Sequence, residues 1–234
     1  MTVFAALPAF PAFSLPGPDT WPADPADPVA WRQGRERYGV WVIDADLAPV
    51  HTRLAHARAH LPGWLWPSPR QPHITVCVGG FLCTAPRHAD DLPPARLAAQ
   101  KEALQACGVA AFELQIGRLN SFDSAAFLEI TEHPQAPPHN DPPGSALARL
   151  RAALVGAHTE FRDTPYCPHL TVGLYQRAVP KTRLVAQLAA FEAGPALRLP
   201  VRALHFVSYA AGVLGGPLQT EYVHPLIPAV PGAP

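Results

Sequence analysis

The sequence predicts a mixed α+β fold that is compatible with two similar lobes. Runs of apolar and β-branched residues that fit strands alternate with segments whose apolar residues recur at helical spacing. A short pentapeptide pattern also occurs twice, each time at the start of a predicted strand. Hydrophobic residues make up 48% of the 234 residues, so the chain can bury a substantial core.

Strands are predicted where a short run is rich in apolar, β-branched and aromatic residues and is bounded by turn-forming residues. The first run, Tyr38 to Asp44, has the composition of a buried strand, and Gly79-Gly80 is expected to close the second strand. In chain order, the predicted strands cover residues 38–44, 72–79, 112–119, 125–131, 168–175, 201–210 and 220–226.

Helices are predicted where apolar residues recur every three or four positions. Asp46 is expected to cap the first helix, with Pro49 in its opening turn, and Pro62-Gly63 is expected to end it. In chain order, the predicted helices cover residues 46–61, 93–107 and 145–161, and a shorter fourth helix follows Lys181. A proline-rich loop is predicted for residues 133–144.

Domain boundaries follow from the distribution of the 30 prolines. Residues 1–35, where prolines recur at three-residue intervals, are predicted to form an extension of irregular or polyproline-like conformation. We interpret it as a packing arm or a disordered tail, with binding of a partner domain as the alternative. Residues 36–228 are predicted to form a single bilobal domain, followed by a tail of residues 229–234.

The charge balance argues against a general nucleic-acid binder. The chain has 18 basic and 18 acidic residues, so its formal net charge is zero. Neutralisation of phosphates supplies most of the affinity of such proteins, which therefore carry an excess of lysine and arginine. If the chain binds RNA, we expect local contacts with a terminus or a short oligomer.

The cysteines and the hydropathy pattern indicate a cytoplasmic protein. The four cysteines form no C-x-x-C pair, so neither a disulfide framework nor a zinc site is expected. The apolar first 15 residues lack a basic start and are broken by Pro8 and Pro11, unlike a signal peptide. No apolar run reaches the 18 residues of a membrane span, and we expect a monomer that does not interact with membranes.

The repeated pattern is Pro72-His73-Ile74-Thr75-Val76 and Pro168-His169-Leu170-Thr171-Val172. Successive side chains of a strand point to opposite faces, so the histidine and threonine of each copy share one face. The aliphatic residues between them point into the core. Two such strands that meet across a cleft place two imidazoles and two hydroxyls around a common centre.

These groups suit the hydrolysis of a phosphodiester or a cyclic phosphate. One neutral imidazole can remove a proton from water while one imidazolium protonates the departing ribose oxygen, so His73 and His169 are predicted to be catalytic. Thr75 and Thr171 are predicted to donate hydrogen bonds to phosphate oxygens. Neither a metal nor a cofactor is expected. The alternative is that both histidines are ordinary strand residues.

The two His-x-Thr-x motifs resemble those of the two-histidine (2H) phosphoesterase superfamily. That superfamily includes the bacterial RNA 2′,3′-cyclic phosphodiesterases, also called 2′-5′ RNA ligase-like proteins, and plant cyclic nucleotide phosphodiesterases. The resemblance extends over residues 38–226 and includes Val40 to Pro49 and the C-terminal hairpin near Tyr222. It implies two pseudo-symmetric lobes of antiparallel sheet, flanked by helices, with the active-site cleft between them.

The same resemblance implies the reaction. His73 would be the general acid and His169 the general base on water. A 2′,3′-cyclic phosphate of an RNA end, oligonucleotide or nucleotide would be opened to a 2′-phosphate. Some relatives also catalyse a reversible 2′-5′ joining, in which a ribose hydroxyl replaces water.

Three further residues near the motifs are candidates for substrate contacts. Arg70 precedes the first motif and can bind a phosphate through two parallel hydrogen bonds, with an ordinary surface arginine as the alternative. Phe81 and Tyr175 follow the two motifs, and we interpret both rings as packed in the core, with stacking on a base as the alternative.

Two other functions are compatible with the same sequence features. The first is a non-catalytic nucleotide-binding module on the same fold. The second is a metallohydrolase that uses clustered histidines. His56 and His60 lie one helical turn apart. No third ligand is evident, so we interpret them as a solvated helix face, with chelation of a metal as the alternative.

Overall fold

Helices and strands alternate along most of the chain in the computed structural model, which describes residues 17–24, 26–132, 144–156 and 166–228. The helices are α1 (Asp27–Arg32), α2 (Ala48–His60), α3 (Pro94–Cys107), α4 (Ala146–Gly156) and α5 (Lys181–Ala189). The strands are β1 (Arg37–Asp44), β2 (His73–Leu82), β3 (Asp91–Leu92), β4 (Phe112–Ser121), β5 (Ala125–Glu132), β6 (His169–Leu174), β7 (Leu197–Val201), β8 (Ala203–Ala210) and β9 (Gln219–Pro225).

The strands form one sheet in the order β7-β4-β5-β6-β2-β1-β8-β9, and the short β3 pairs with β2. Every pair is antiparallel except β2 with β3. The order reads symmetrically outward from the central β6–β2 pair, because β5 corresponds to β1, β4 to β8 and β7 to β9. This arrangement confirms an α+β fold with two pseudo-symmetric lobes, which are the halves of a continuous sheet.

The main core lies between this sheet and the helices. Apolar residues at helical spacing bury one side of α2 and α4, among them Leu54 and Leu150, as predicted. On the facing strands, Trp41 of β1 is fully buried, and its indole nitrogen donates a hydrogen bond to Gln100 Oε1 of α3 at 2.9 Å. No helix among the described residues has the length and apolar character needed to cross a membrane.

Two predicted element boundaries are wrong. The residue that precedes α2 as its N-cap is Leu47, and Asp46 instead pairs with His51. Strand β2 continues through Gly79-Gly80 to Leu82. A Cβ on Gly80, whose φ is 124°, would lie 2.4 Å from the carbonyl oxygen of Asp90, so glycine there permits a close approach of two chain segments.

The described part of the predicted extension packs on the domain. The Thr20 amide donates a hydrogen bond to the Val179 carbonyl at 2.8 Å, and the Trp21 amide donates to the Asp123 carbonyl at 2.7 Å. Helix α1, which the sequence did not predict, places Trp31 against Phe81 with ring centroids 4.6 Å apart. Residues 1–16, most of the predicted proline-rich loop, the end of the third predicted helix and the tail of residues 229–234 lie outside the described residues.

Candidate active site

The two His-x-Thr motifs lie on the adjacent central strands β2 and β6. These strands run antiparallel, with Ile74 directly opposite Leu170. This register brings His73 opposite Thr171 and Thr75 opposite His169. Directly opposed residues of an antiparallel pair have Cβ atoms about 5 Å apart, and diagonal neighbours about 7–8 Å apart. The two histidines therefore occupy one diagonal of a small rectangle, and the two threonines occupy the other.

Burial alternates along both motifs as the strand periodicity predicts. Ile74 and Leu170 are 0% and 1% exposed, on the core side of the sheet. The histidines and threonines on the opposite side are partly exposed. Packing of the aliphatic residues thus fixes the strands, while the four polar side chains remain accessible to a substrate.

Both imidazole rings are held by the same local hydrogen bond. His73 Nδ1 lies 2.8 Å from the carbonyl oxygen of Gln71, and His169 Nδ1 lies 2.8 Å from the carbonyl oxygen of Cys167. A carbonyl oxygen only accepts, so Nδ1 carries the proton in each ring and donates it. In the neutral form of each ring, Nε2 is then the basic atom that can exchange a proton with water or a substrate oxygen.

The position of His73 disfavours its protonated form. Burial lowers the pKa of His73 to about 4, and the positive charges of Arg70 and His169 act in the same direction. The hydrogen bond to Gln71 and the charge of Asp44 oppose this shift without reversing it. His73 is therefore neutral near pH 7 in the free protein.

Two aromatic rings that were not predicted as site residues surround His169. Phe122 lies 4.9 Å from the His169 ring, nearly perpendicular to it, and Phe127 lies 5.5 Å away. The two phenylalanines stack on each other at 4.2 Å. Phe127 is enclosed at 1% exposure, whereas Phe122 is partly exposed. The only sequence signal is the position of Phe122 in the turn after β4, because its proximity to His169 depends on strand pairing.

Each histidine also has a carboxylate on the neighbouring outer strand. Glu129 lies opposite His169, and Asp44 lies opposite His73. Glu129 is only 8% exposed and accepts hydrogen bonds from Asn120 Nδ2 at 2.7 Å and Arg118 Nε at 3.1 Å. Asp44 is exposed. The two carboxylates therefore differ in how strongly solvent and salt screen their charge, since an exposed charge is screened more strongly than a buried one.

Arg70 lies beside the first motif, as its position in the sequence implies. Its guanidinium stacks over the Tyr209 ring at 4.0 Å, and its Nε donates a hydrogen bond to the Gly216 carbonyl at 2.9 Å. Burial lowers the pKa of Arg70, but an arginine stays charged at neutral pH. These contacts fix a positive charge close to His73.

Phe81 and Tyr175, the possible base contacts, do not provide stacking surfaces. Both are 0% exposed. Phe81 is covered by Trp31 and by the guanidinium of Arg35, which lies 3.6 Å from the ring centroid. The Tyr175 hydroxyl is hydrogen-bonded to Ser121 at 2.7 Å, and burial raises its pKa to about 12. An enclosed ring has no free face for a base, so both residues pack in the core, as the favoured interpretation of each expected.

The helix histidines contact the protein itself. The rings of His56 and His60 lie 4.9 and 5.2 Å from the ring of Phe191, and His60 Nε2 lies 2.7 Å from the carbonyl oxygen of Gln187. In the described parts of the chain, no group of three or more histidine, cysteine or acidic side chains is arranged to hold a metal ion.

Comparison with known proteins identifies a family and a fold. A model of the 2′-5′ RNA ligase superfamily matches residues 46–213. The structure of this chain is similar to the crystal structure of Escherichia coli LigT in its apo form, with a TM-score of 0.53 and 15% sequence identity. The match covers 83% of this chain and 99% of that protein. LigT complexed with 3′-AMP has a TM-score of 0.51 and 16% identity, over 82% and 99% of the two chains. At these identities the structures show a shared fold. No curated protein matches the chain.

Proposed function

The chain belongs to the 2′-5′ RNA ligase superfamily, as its motifs predict, and we propose that it is a metal-independent phosphoesterase that hydrolyses 2′,3′-cyclic phosphates. The observation that carries the proposal is the Ile74–Leu170 pairing. It brings two imidazoles and two hydroxyls together on one face of the sheet, which is the set of groups that two-histidine acid–base catalysis requires. The substrate would be a cyclic phosphate at an RNA end or on a nucleotide.

In the proposed reaction, a water molecule attacks phosphorus while one neutral imidazole accepts its proton at Nε2. The bond between phosphorus and the ribose 3′ oxygen breaks, and the other histidine, as imidazolium, donates a proton to that oxygen. The product is a 2′-phosphate with a free 3′-hydroxyl. Thr75 and Thr171 donate hydrogen bonds to the non-bridging oxygens as negative charge builds up on them. A ribose hydroxyl in place of water would give reversible 2′-5′ joining by the same transfers.

We assign the base to His73 and the acid to His169, which reverses the roles implied by the resemblance. His73 is neutral near pH 7, since burial and the charge of Arg70 lower its pKa to about 4. A neutral ring is ready to accept a proton from water. With the base assigned to His73, His169 is the imidazole that remains to protonate the departing ribose oxygen.

Phe122 and Arg70 are the proposed substrate contacts beyond the four motif side chains. Phe122 is partly exposed beside His169, so a base attached to the reacting ribose can stack on the exposed part of its ring. Arg70 supplies positive charge next to His73 and can bind a phosphate oxygen. The zero net charge of the chain fits a terminus or short oligomer better than a long RNA.

A non-catalytic nucleotide-binding module is the second candidate. LigT has been crystallised with 3′-AMP and with ATP, and its fold is shared by this chain. The module would retain nucleotide binding in the cleft without turnover. The presence of both histidines and both threonines on one face favours the enzyme, because binding alone does not require two proton-transfer groups.

Product analysis tests the proposal. The purified chain is incubated in EDTA with the four nucleoside 2′,3′-cyclic phosphates and with an oligonucleotide that ends in a 2′,3′-cyclic phosphate. We expect 2′-phosphate products at a rate that EDTA leaves unchanged. Binding without turnover would support the module, and complete loss of activity in EDTA would support a metallohydrolase.

A further inference from the structure

The two motif strands depend on few backbone contacts with each other. Strand β2 pairs with β1 along most of its length, from His73 to Phe81. Within the described residues, by contrast, its register with β6 consists of the single partner pair Ile74 and Leu170. The relative position of the two imidazoles is set by this pairing of β2 with β6. Contacts that hold the two strands together therefore control the geometry of the site.

Two arginines form equivalent hydrogen bonds between the lobes, each from a helix of one lobe to the motif strand of the other lobe. Arg58 of α2, a helix of the first lobe, donates a hydrogen bond from Nε to the Val172 carbonyl in the second motif at 2.9 Å. Arg151 of α4, a helix of the second lobe, donates from Nη1 to the Val76 carbonyl in the first motif at 2.8 Å. Val76 and Val172 are the same position of the repeated pattern. Each lobe therefore holds the motif strand of the other lobe at the residue after its threonine.

Further contacts stabilise the hydrogen bond between Arg151 and Val76. The guanidinium of Arg151 stacks over the ring of Tyr166 at 4.1 Å. The Tyr166 hydroxyl donates a hydrogen bond to the carbonyl of Thr75 at 2.9 Å. Tyr166 precedes the second motif by three residues, so this contact also joins the approach to β6 to the first motif. A stacked guanidinium has few alternative orientations, which favours a fixed position for its hydrogen bond.

We propose that Arg58 and Arg151 are positioning residues that set the separation of the two motif histidines. This inference rests on the proposed function, since it concerns the same site. Neither arginine is assigned a contact with the substrate. Both act through the backbone of the motif strands. Loss of either hydrogen bond lets β2 and β6 shift relative to each other, which changes the distance between the two histidine rings.

The expected effect is on turnover more than on binding. Proton transfer by two groups in one step tolerates little displacement, and a misplacement of about 1 Å can cost about 100-fold in rate. The substitutions Arg58→Met and Arg151→Met keep much of the aliphatic stem and remove the donors. We expect each to lower kcat roughly 10- to 100-fold with a small change in KM. Lysine at either position keeps one charged donor and should restore part of the loss.

Arginines on the same two helices provide matched controls. Arg53 of α2 donates to the Pro195 carbonyl at 2.8 Å, and Arg149 of α4 donates to the Cys107 carbonyl at 3.1 Å, so neither hydrogen bond reaches a motif strand. Arg53→Met and Arg149→Met remove comparable bonds from the same helices. A purely structural role would lower thermal stability in all four variants without a selective effect on kcat.

Titration of His73 by NMR, with labelled histidine, gives a readout that needs no activity. Burial and the charge of His169 both lower the pKa of His73, so separation of the strands should raise that pKa from about 4 in the Arg58 and Arg151 variants and leave it unchanged in the two controls. An unshifted His73 titration together with kcat within twofold of the parent in folded variants would overturn the inference. If the parent hydrolyses no cyclic phosphate, the proposed function fails, while the titration still decides the positioning role.

Discussion

Ile74 of the first motif and Leu170 of the second lie directly opposite each other in the β2–β6 pair, and both are buried on the core side of the sheet. The local symmetry of the site is centred on this pair. The histidine and the threonine that flank each aliphatic residue project to the opposite face. Packing of the two aliphatic side chains therefore fixes the register that brings the four polar groups together.

Removal of either imidazole should abolish most of the turnover. In His73→Ala and His169→Ala we expect kcat on a 2′,3′-cyclic nucleotide to fall by about 10²- to 10⁴-fold, because each variant loses one proton-transfer group. Initial rates in EDTA measure the effect. His56→Ala, at an exposed position on α2, is the control and should retain activity. Near-normal rates in either motif variant would refute the assignment of these residues.

A substrate with an activated leaving group should separate the acid from the base. The p-nitrophenolate of a nucleoside p-nitrophenyl phosphate leaves without a proton, so loss of the general acid costs little on this substrate. We expect His169→Ala to regain much of its activity on it relative to the cyclic phosphate, and His73→Ala to remain impaired. Selective recovery of His73→Ala instead would establish the roles that the family resemblance implies.

The threonine hydroxyls should contribute to the rate without changing its pH dependence. Valine has nearly the shape of threonine but no hydroxyl, so Thr75→Val and Thr171→Val should lower kcat roughly 10- to 10³-fold by removing one donor to the phosphate oxygens. Serine at either position should retain much of the activity. Thr52→Val on the exposed side of α2 is the matched control. Rates within twofold of the parent would exclude the proposed contacts.

The low pKa of His73 should make the folded state sensitive to mild acid. Its pKa is about 4 in the folded protein, against an ordinary value of 6.5, so the unfolded chain binds the proton more readily between these two pH values. The free energy of unfolding should therefore decrease as the pH is lowered from 6.5 to 4. Urea titrations across this range should show a smaller decrease for His73→Gln. Equal pH dependence in both proteins would contradict a lowered pKa of His73 in the folded protein.

Phe122 should affect binding of the base. Stacking of one base on an aromatic side chain contributes about 1–3 kcal/mol, so Phe122→Leu should raise KM for adenosine 2′,3′-cyclic phosphate by roughly 5- to 100-fold. Leucine retains an apolar neighbour for His169. A base-free ribose 2′,3′-cyclic phosphate is the control substrate, and its KM should not change. Equal effects on both substrates would indicate that Phe122 supports His169 and does not contact the base.

The sequence predicted most elements because their signals are local. The apolar runs of β1 and β2 and the helical spacing of α4 each lie within one short segment. Strands β3 and β7 were missed for different reasons. Strand β3 has only two residues, too few for any periodicity, and β7 contains Pro200, which is tolerated because β7 lies at the edge of the sheet.

By itself, the sequence determined the chemistry of the candidate site, since each His-x-Thr pair lies within one strand and strand alternation puts its two side chains on one face. The tertiary structure decided which groups surround those pairs. Phe122 contacts His169, Glu129 lies opposite it in the sheet, and Arg151 reaches the first motif, all through pairing and packing of segments far apart in the chain. Phe81 and Tyr175, although close to the motifs in sequence, are buried by other segments. Neighbours along a strand follow from periodicity, whereas neighbours across the sheet follow from its register.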